Sequence, residues 1–208
     1  MSKTDLRPTR LPARGSLLVS CLVAGCSFLS PREDPSRFFL LTAPTDTDEV
    51  ASSEGGSIAV GPVEMPSYLN GPLLVTRIDD HEVAISDFER WAEPLEDNFQ
   101  RVLVENLSSS LDTRVVAFPA PLRESLRVRI PITVRRFDRD SRGAVALWVR
   151  WTIDDVATGE MLDGGEARIN EPGTGSGSEA TVATMSAAVA RFSQVLAARL
   201  ERLPPADR

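Results

Sequence analysis

The sequence predicts an α+β domain: a mostly antiparallel sheet with two long helices packed on one face, in a single domain. Leu126, Val128, Ile130, Ile132 and Val134 alternate with Arg127, Arg129, Pro131, Thr133 and Arg135, and Val145, Leu147, Val149, Trp151 and Ile153 alternate in the same way. This is the period-two pattern of strands with one buried and one wet face. Leu95, Phe99, Val102, Leu103, Asn106, Leu107 and Leu111 recur at spacings of three and four, as do Val182, Met185, Val189, Phe192, Leu196, Leu200 and Leu203, so each set lines one side of a helix. Short polar turns between neighbouring apolar runs join the strands into hairpins, leaving the two helices to cover one face.

At the start of the chain, Arg7, Arg10 and Arg14 form a positive region and Ser16 to Ala24 a short apolar run, the layout of a secretory signal over residues 1–25. Leu22-Val23-Ala24-Gly25-Cys26 resembles the lipobox of bacterial lipoproteins, in which the cysteine sulfur is lipidated, the peptide is cut before it and the new amino terminus is acylated. Cys26 is therefore the expected lipidation site, against the alternative of an ordinary signal peptide with a chance cysteine. A transmembrane anchor fails on length, because about 20 apolar residues are needed to cross a bilayer. Ser27 after the cysteine, in the pattern of such lipoproteins, implies passage to the outer membrane, periplasmic face. Residues 26–36, with Pro31 and Pro35, read as a tether, and 37–205 as the folded domain.

The chain carries a formal net charge of -7, and removal of residues 1–25 takes away Lys3, three arginines and Asp5, leaving the rest more acidic still. An acidic chain is a poor non-specific partner for nucleic acid, so none is expected. Cys21 leaves with the signal and Cys26 is modified, so no pair remains for a disulfide and the fold rests on its core.

Arg37-Phe38-Phe39-Leu40-Leu41 reads as the first strand, and acidic, small Thr45 to Ser57 as a mobile loop. Ile58-Ala59-Val60 is a short strand closed by Gly61-Pro62. Leu73 to Arg77 and Val83 to Ile85 suggest a hairpin about the polar turn Asp79-Asp80-His81-Glu82. Phe88 to Leu95 introduces the first helix, with Pro94 suited to the first helical position. Arg114 to Phe118 is a short strand. Pro131 cannot donate to a ladder, which puts the strand from Leu126 at an edge or gives it a bulge. Turns at 138–143 and 154–159 then make an antiparallel meander ending with Met161 to Ile169. Ser176 with Glu179 fits a capping box before the last helix, and Pro204-Pro205 stops it.

Catalytic constellations are not legible. The one histidine, His81, sits in a charged turn without a nucleophile beside it, and the glycines lack the strand and lysine of a phosphate cradle. Asp79, Asp80, His81 and Glu82 are metal-ligand types, but adjacent side chains in a turn point apart, so no metal is expected. Asp154 and Asp155 read as turn formers. No enzyme and no cofactor are expected. Tyr68, Trp91 and Trp148 are the candidate partner-contact residues. Trp148 falls on the wet face beside Arg150, exposed for a partner or covered by its own chain, whereas Trp151 belongs to the core.

Tyr68-Leu69 through Arg77, then Phe88-Glu89-Arg90-Trp91-Ala92-Glu93-Pro94-Leu95 and the helix to Asn106-Leu107, resemble the ABC-type transport auxiliary lipoproteins, the PqiC/YmbA-like group. The resemblance extends over the whole mature chain, from the lipobox and Phe38-Phe39-Leu40-Leu41 to the terminal helix. It implies a non-enzymatic, outer-membrane-anchored subunit of a lipid transport system. The implied partner is a periplasmic MCE-domain protein, and the implied role is to dock the conduit at the far membrane and support envelope integrity. A homo-oligomer would suit a symmetric conduit. Trp91 and Pro94 would then fix the start of the helix, with direct partner contact as the alternative. The competing reading is a lipoprotein regulator of a cell-wall synthase, or an outer-membrane assembly factor, on a similar domain.

Overall fold

The computed structural model describes residues 34–44, 57–120 and 126–204; the signal, Cys26, most of the tether and the loop at 45–56 lie outside them. The fold described is that of the compact unit Ser36–Arg208. Its elements are β1 (Arg37–Phe39), β2 (Ser57–Glu64), β3 (Leu73–Arg77), β4 (Val83–Trp91), α1 (Leu95–Ser110), β5 (Val115–Ala117), β6 (Leu126–Asp140), β7 (Val145–Asp155), β8 (Met161–Glu171) and α2 (Ser178–Leu200).

The sheet is built around β6. On one side it pairs antiparallel with β7, which pairs antiparallel with β8, the meander expected from the alternation. On its other side β6 is long enough to hold two partners, β2 along its first half and β3 at its end, both parallel. Antiparallel β4 continues from β3, and the short β1 and β5 close the sheet in parallel with β4 and β2. The long β6–β7–β8 ladders are thus antiparallel, and the parallel pairings come from short or partial ladders.

Both helices cover one face. Phe99 of α1 sits between Phe137 of β6 (ring centroids 5.6 Å apart, edge to face) and Phe192 of α2 (6.3 Å), and Trp151 of β7 meets Phe192 edge-on at 5.5 Å. These rings join α1, β6, β7 and α2 in one core and add edge-to-face attraction to the area they bury. Trp151 needs a slot in the neighbouring strand. A Cβ on Gly165, its partner in β8, would lie 2.9 Å from the indole, so only glycine fits there.

Several boundaries differ from those read in the sequence, each for a local reason. Gly61-Pro62 does not close β2, which runs on to Glu64. The side-chain amide of Gln100 in α1 donates to the carbonyls of Val60 and Phe118, both at 2.7 Å, satisfying acceptors beside the irregular stretch. Pro131 does not mark an edge: β6 is central, and the extra residue lies opposite Pro131 in the partner strand β2, between Val60 and Val63, so the bulge there belongs to β2 and not to the strand of Pro131. β4 continues through Phe88 to Trp91, and Pro94 is the cap residue one position before α1. The capping box does not form, because α2 begins at Ser178 behind Gly177 (φ 89°) with no side-chain cap.

Candidate functional site

A bulge in β6 creates the outer-face constellation. Between Val134 and Arg136 the register against β7 shifts by one residue, so the alternation reverses. Phe137 turns into the core, and Arg136 and Asp138 turn to the face away from the helices. Asp138 has 0% exposure, and each of its neighbours answers the charge. Arg77 grips it with a fork, Nε to both carboxylate oxygens at 3.2 Å and Nη2 to Oδ2 at 3.1 Å. Arg136 Nε donates to Oδ1 at 2.8 Å, and the phenol of Tyr68, carried by a one-turn 3-10 helix at Ser67–Leu69, donates to Oδ2 at 2.8 Å. A buried carboxylate satisfied on both oxygens by forked and charged donors holds a fixed geometry.

The electrostatics follow. Burial, and then the hydrogen bond to Asp138, push the Tyr68 phenol up to about 12, so it remains a neutral donor at physiological pH. The same carboxylate raises the Arg77 guanidinium above its ordinary value. Neither group is poised for proton transfer near neutrality.

The constellation continues sideways. Arg136, Trp148 and Arg168 are register neighbours on three adjacent strands, and the two guanidiniums flank the indole at 5.4 and 5.0 Å. This cation–π stack sandwiches the half-buried indole of Trp148, whose buried Nε1 has no hydrogen-bond partner among the described residues. In the next row Arg150 pairs with Glu166. The cleft beside them is about 90 Å³, against the roughly 300–1,000 Å³ of small-molecule sites. Arginine and aromatic side chains on an otherwise acidic chain make a surface suited to a macromolecular partner.

Of the sequence candidates, Tyr68 and Trp148 come together through Asp138 and Arg136. Trp91 does not: it is buried on the helix face, in the core with Leu95 and Phe99. Sequence pattern alone does not single out Arg77, Arg136 or Arg168, and it puts Asp138 in a turn, whereas β6 runs on to Asp140 and holds Asp138 within the strand. The Arg135-Arg136 pair just before Phe137 was the signal available, since strict alternation would have put Phe137 on the wet face. Asp79 and Asp155 behave as turn formers, Asp79 accepting from the backbones of His81 (2.7 Å) and Glu82 (2.9 Å), and Asp155 from Ala157 and Thr158. Among the described residues no group of three or more His, Cys, Asp or Glu is placed to hold a metal, and no helix is long and apolar enough to cross a membrane.

The model of the ABC-type transport auxiliary lipoprotein component matches residues 39–197. The chain belongs to this family. As an ABC-type transport auxiliary lipoprotein it is a component of a transport system and not an enzyme. It is 30% identical to the intermembrane transport lipoprotein PqiC of Escherichia coli (strain K12) over 132 residues, 64% of this chain and 68% of that protein, and equally to PqiC of Shigella flexneri. The auxiliary-lipoprotein fold is also similar to the crystal structure of an uncharacterized protein (TM-score 0.67, 22% identity, 79% of this chain and 98% of that one). A protein from Xanthomonas campestris matches with a TM-score of 0.63 at 16% identity, over 77% and 92% of the two chains.

Proposed function

We propose that this auxiliary lipoprotein is the outer-membrane end of an MCE-type intermembrane lipid transport system. Cys26 carries the acyl chains, residues 27–36 give reach, and the domain docks a periplasmic MCE-domain conduit through the outer sheet face around Tyr68 and Trp148. Docking on the far side of an aqueous gap supports envelope integrity, because an apolar cargo needs a continuous path between membranes. The observation that carries this reading is the Arg136–Trp148–Arg168 stack. It presents an aromatic ring and two cations, in a family of transport components. The name of the PqiC relatives, intermembrane transport lipoprotein, supports the same assignment.

The test is to cross-link cells expressing the tagged full-length protein and identify what co-purifies, beside Cys26→Ser and Trp148→Ala variants. An MCE-domain protein recovered with the parent and lost or weakened in both variants is expected. Recovery of a cell-wall synthase or an outer-membrane assembly subunit in its place overturns the reading.

A further inference from the structure

Exposed apolar side chains gather at the sheet edge where the tether joins the domain. Phe38 of β1 lies opposite Arg90 of β4, and Arg90 Nε donates to Ser36 Oγ at 3.3 Å, so Ser36, Phe38 and Arg90 share the outer face. Against β3, β4 bulges between its pairings at Ile85 and Arg90, and Phe88 stands in the bulge. Phe38 is 65% exposed, Ile85 58%, Phe88 53% and Leu40 43%. The opposite face of the same edge is closed, with Leu41 and Trp91 in the core.

The position of this patch identifies its occupant. Only residues 27–36 separate Cys26 from β1, and ten residues reach at most about 35 Å when fully extended. With the strand order β1-β4-β3-β6-β7-β8, the β8 edge stands five strand spacings, roughly 24 Å, further away. A second exposed apolar group, Val156, Met161 and Leu162, lies at the β7–β8 turn, also within the tether's reach, and the first patch is set apart by standing where the tether enters and by its two phenylalanines. Two phenylalanines and two aliphatic side chains beside Arg90 have the chemistry of a headgroup–acyl boundary, where rings enter the apolar layer and a guanidinium reaches phosphate. Asp87 and the acidity of the chain oppose attraction to anionic lipid, so the contact is apolar rather than electrostatic.

We propose that the β1–β4 edge, through Phe38, Leu40, Ile85 and Phe88, rests on the surface of the membrane that holds the lipidated Cys26, and so orients the domain with its β7–β8 end toward the aqueous side. This rests on the lipid anchor of the proposed function. The orientation places Trp148, on the same outer face, three strand spacings beyond β4, roughly 14 Å from the patch.

The full-length lipidated protein is reconstituted into phosphatidylcholine vesicles with a polarity-sensitive fluorophore on a single introduced cysteine, in Phe38→Cys, Phe88→Cys or Leu162→Cys. Acylated Cys26 does not label. For side chains about 5–10 Å into the boundary, brominated acyl chains should quench the label at positions 38 and 88 by roughly twofold and leave position 162 unchanged, at low and high salt alike. Unquenched labels at 38 and 88 in protein that floats with the vesicles, or quenching at 162 in their place, overturn the orientation while the anchor stands. Flotation and the mass of the Cys26 peptide report the anchor separately, and a protein without acyl chains overturns both readings.

Discussion

The phenol of Tyr68 donates to the carboxylate of Asp138 across 2.8 Å, tying a surface turn to a wholly buried charge on the central strand. Asp138 also holds Arg77 and Arg136, so removing the carboxylate strands two cations. Asp138→Ala should cost about 3–5 kcal/mol, the range for breaking a buried pair by deleting one partner. Tyr68→Phe, which removes one neutral donor, should cost about 1 kcal/mol. Denaturant unfolding of the singles and the double gives the coupling, and a double mutant whose loss equals the sum of the singles would show that Tyr68 and Asp138 contribute independently.

The three tryptophans separate by face. Trp151 and Trp91 are buried in the core, and Trp151→Ala or Trp91→Ala should each lose about 3–5 kcal/mol. Trp148 stands at the surface between Arg136 and Arg168. Trp148→Ala should leave the unfolding midpoint within about 1 kcal/mol of the parent, the size of an exposed cation–π contact, and abolish capture of the partner. A Trp148→Ala protein that melts early and still captures its partner would reverse the assignment. Gly165→Val tests the slot beside Trp151, with an expected overpacking loss of about 1–3 kcal/mol.

Local chemistry explains what could be read in advance. The stripes from Leu95 to Leu107 and from Val182 to Leu200 bury where their spacing puts them, because a 3.6-residue period leaves an apolar face no other home. The β6–β7–β8 meander is equally legible, since alternation and short turns fix the antiparallel neighbour. The parallel docking of β2, β3 and β5 is not, because those partners are distant in sequence and no turn joins them. The site follows the same division. Trp148 showed on the wet face of its strand, whereas Asp138 was hidden by the bulge at Arg135–Arg136, a register change that side-chain types signal only through the misplaced Phe137.

Asn98 holds the exit of β1 to α1. Its Oδ1 accepts from the Leu41 backbone at 2.6 Å in a wholly buried position, and its amide donates to Glu93, which also receives Arg101 at 3.0 Å. Asn98→Leu keeps the volume and leaves the Leu41 N–H without an acceptor. It should cost about 1–3 kcal/mol, the desolvation penalty of an orphaned buried donor. Because the loss sits where the tether enters, amide exchange at Leu41 should accelerate more than at Phe192. Equal acceleration at both would mean that Asn98 supports the core generally and not this junction.

Stability should fall toward both ends of the pH scale for separate reasons. The Asn98 amide and then Arg101 hold the Glu93 carboxyl below its usual range, while hydroxyls from Ser178, at the start of α2, and Ser86, and then Arg37, do the same for Glu89 of β4. A carboxyl lowered in the folded state contributes stability present above its unfolded value of about 4.3 and lost as pH falls through the folded value. Both groups are partly solvated, so each contribution is about 0.2–1 kcal/mol. Tyr68 has the opposite sign. Raised in the folded state to about 12, it contributes stability that is complete below the unfolded value of about 10 and lost as pH rises through the folded one. Urea midpoints between pH 7 and 3 should decline less steeply in Glu93→Gln and Glu89→Gln than in the parent. Between pH 10 and 12 the parent should decline while Tyr68→Phe stays flatter. Parallel curves for parent and variant at either end would remove that group from the account.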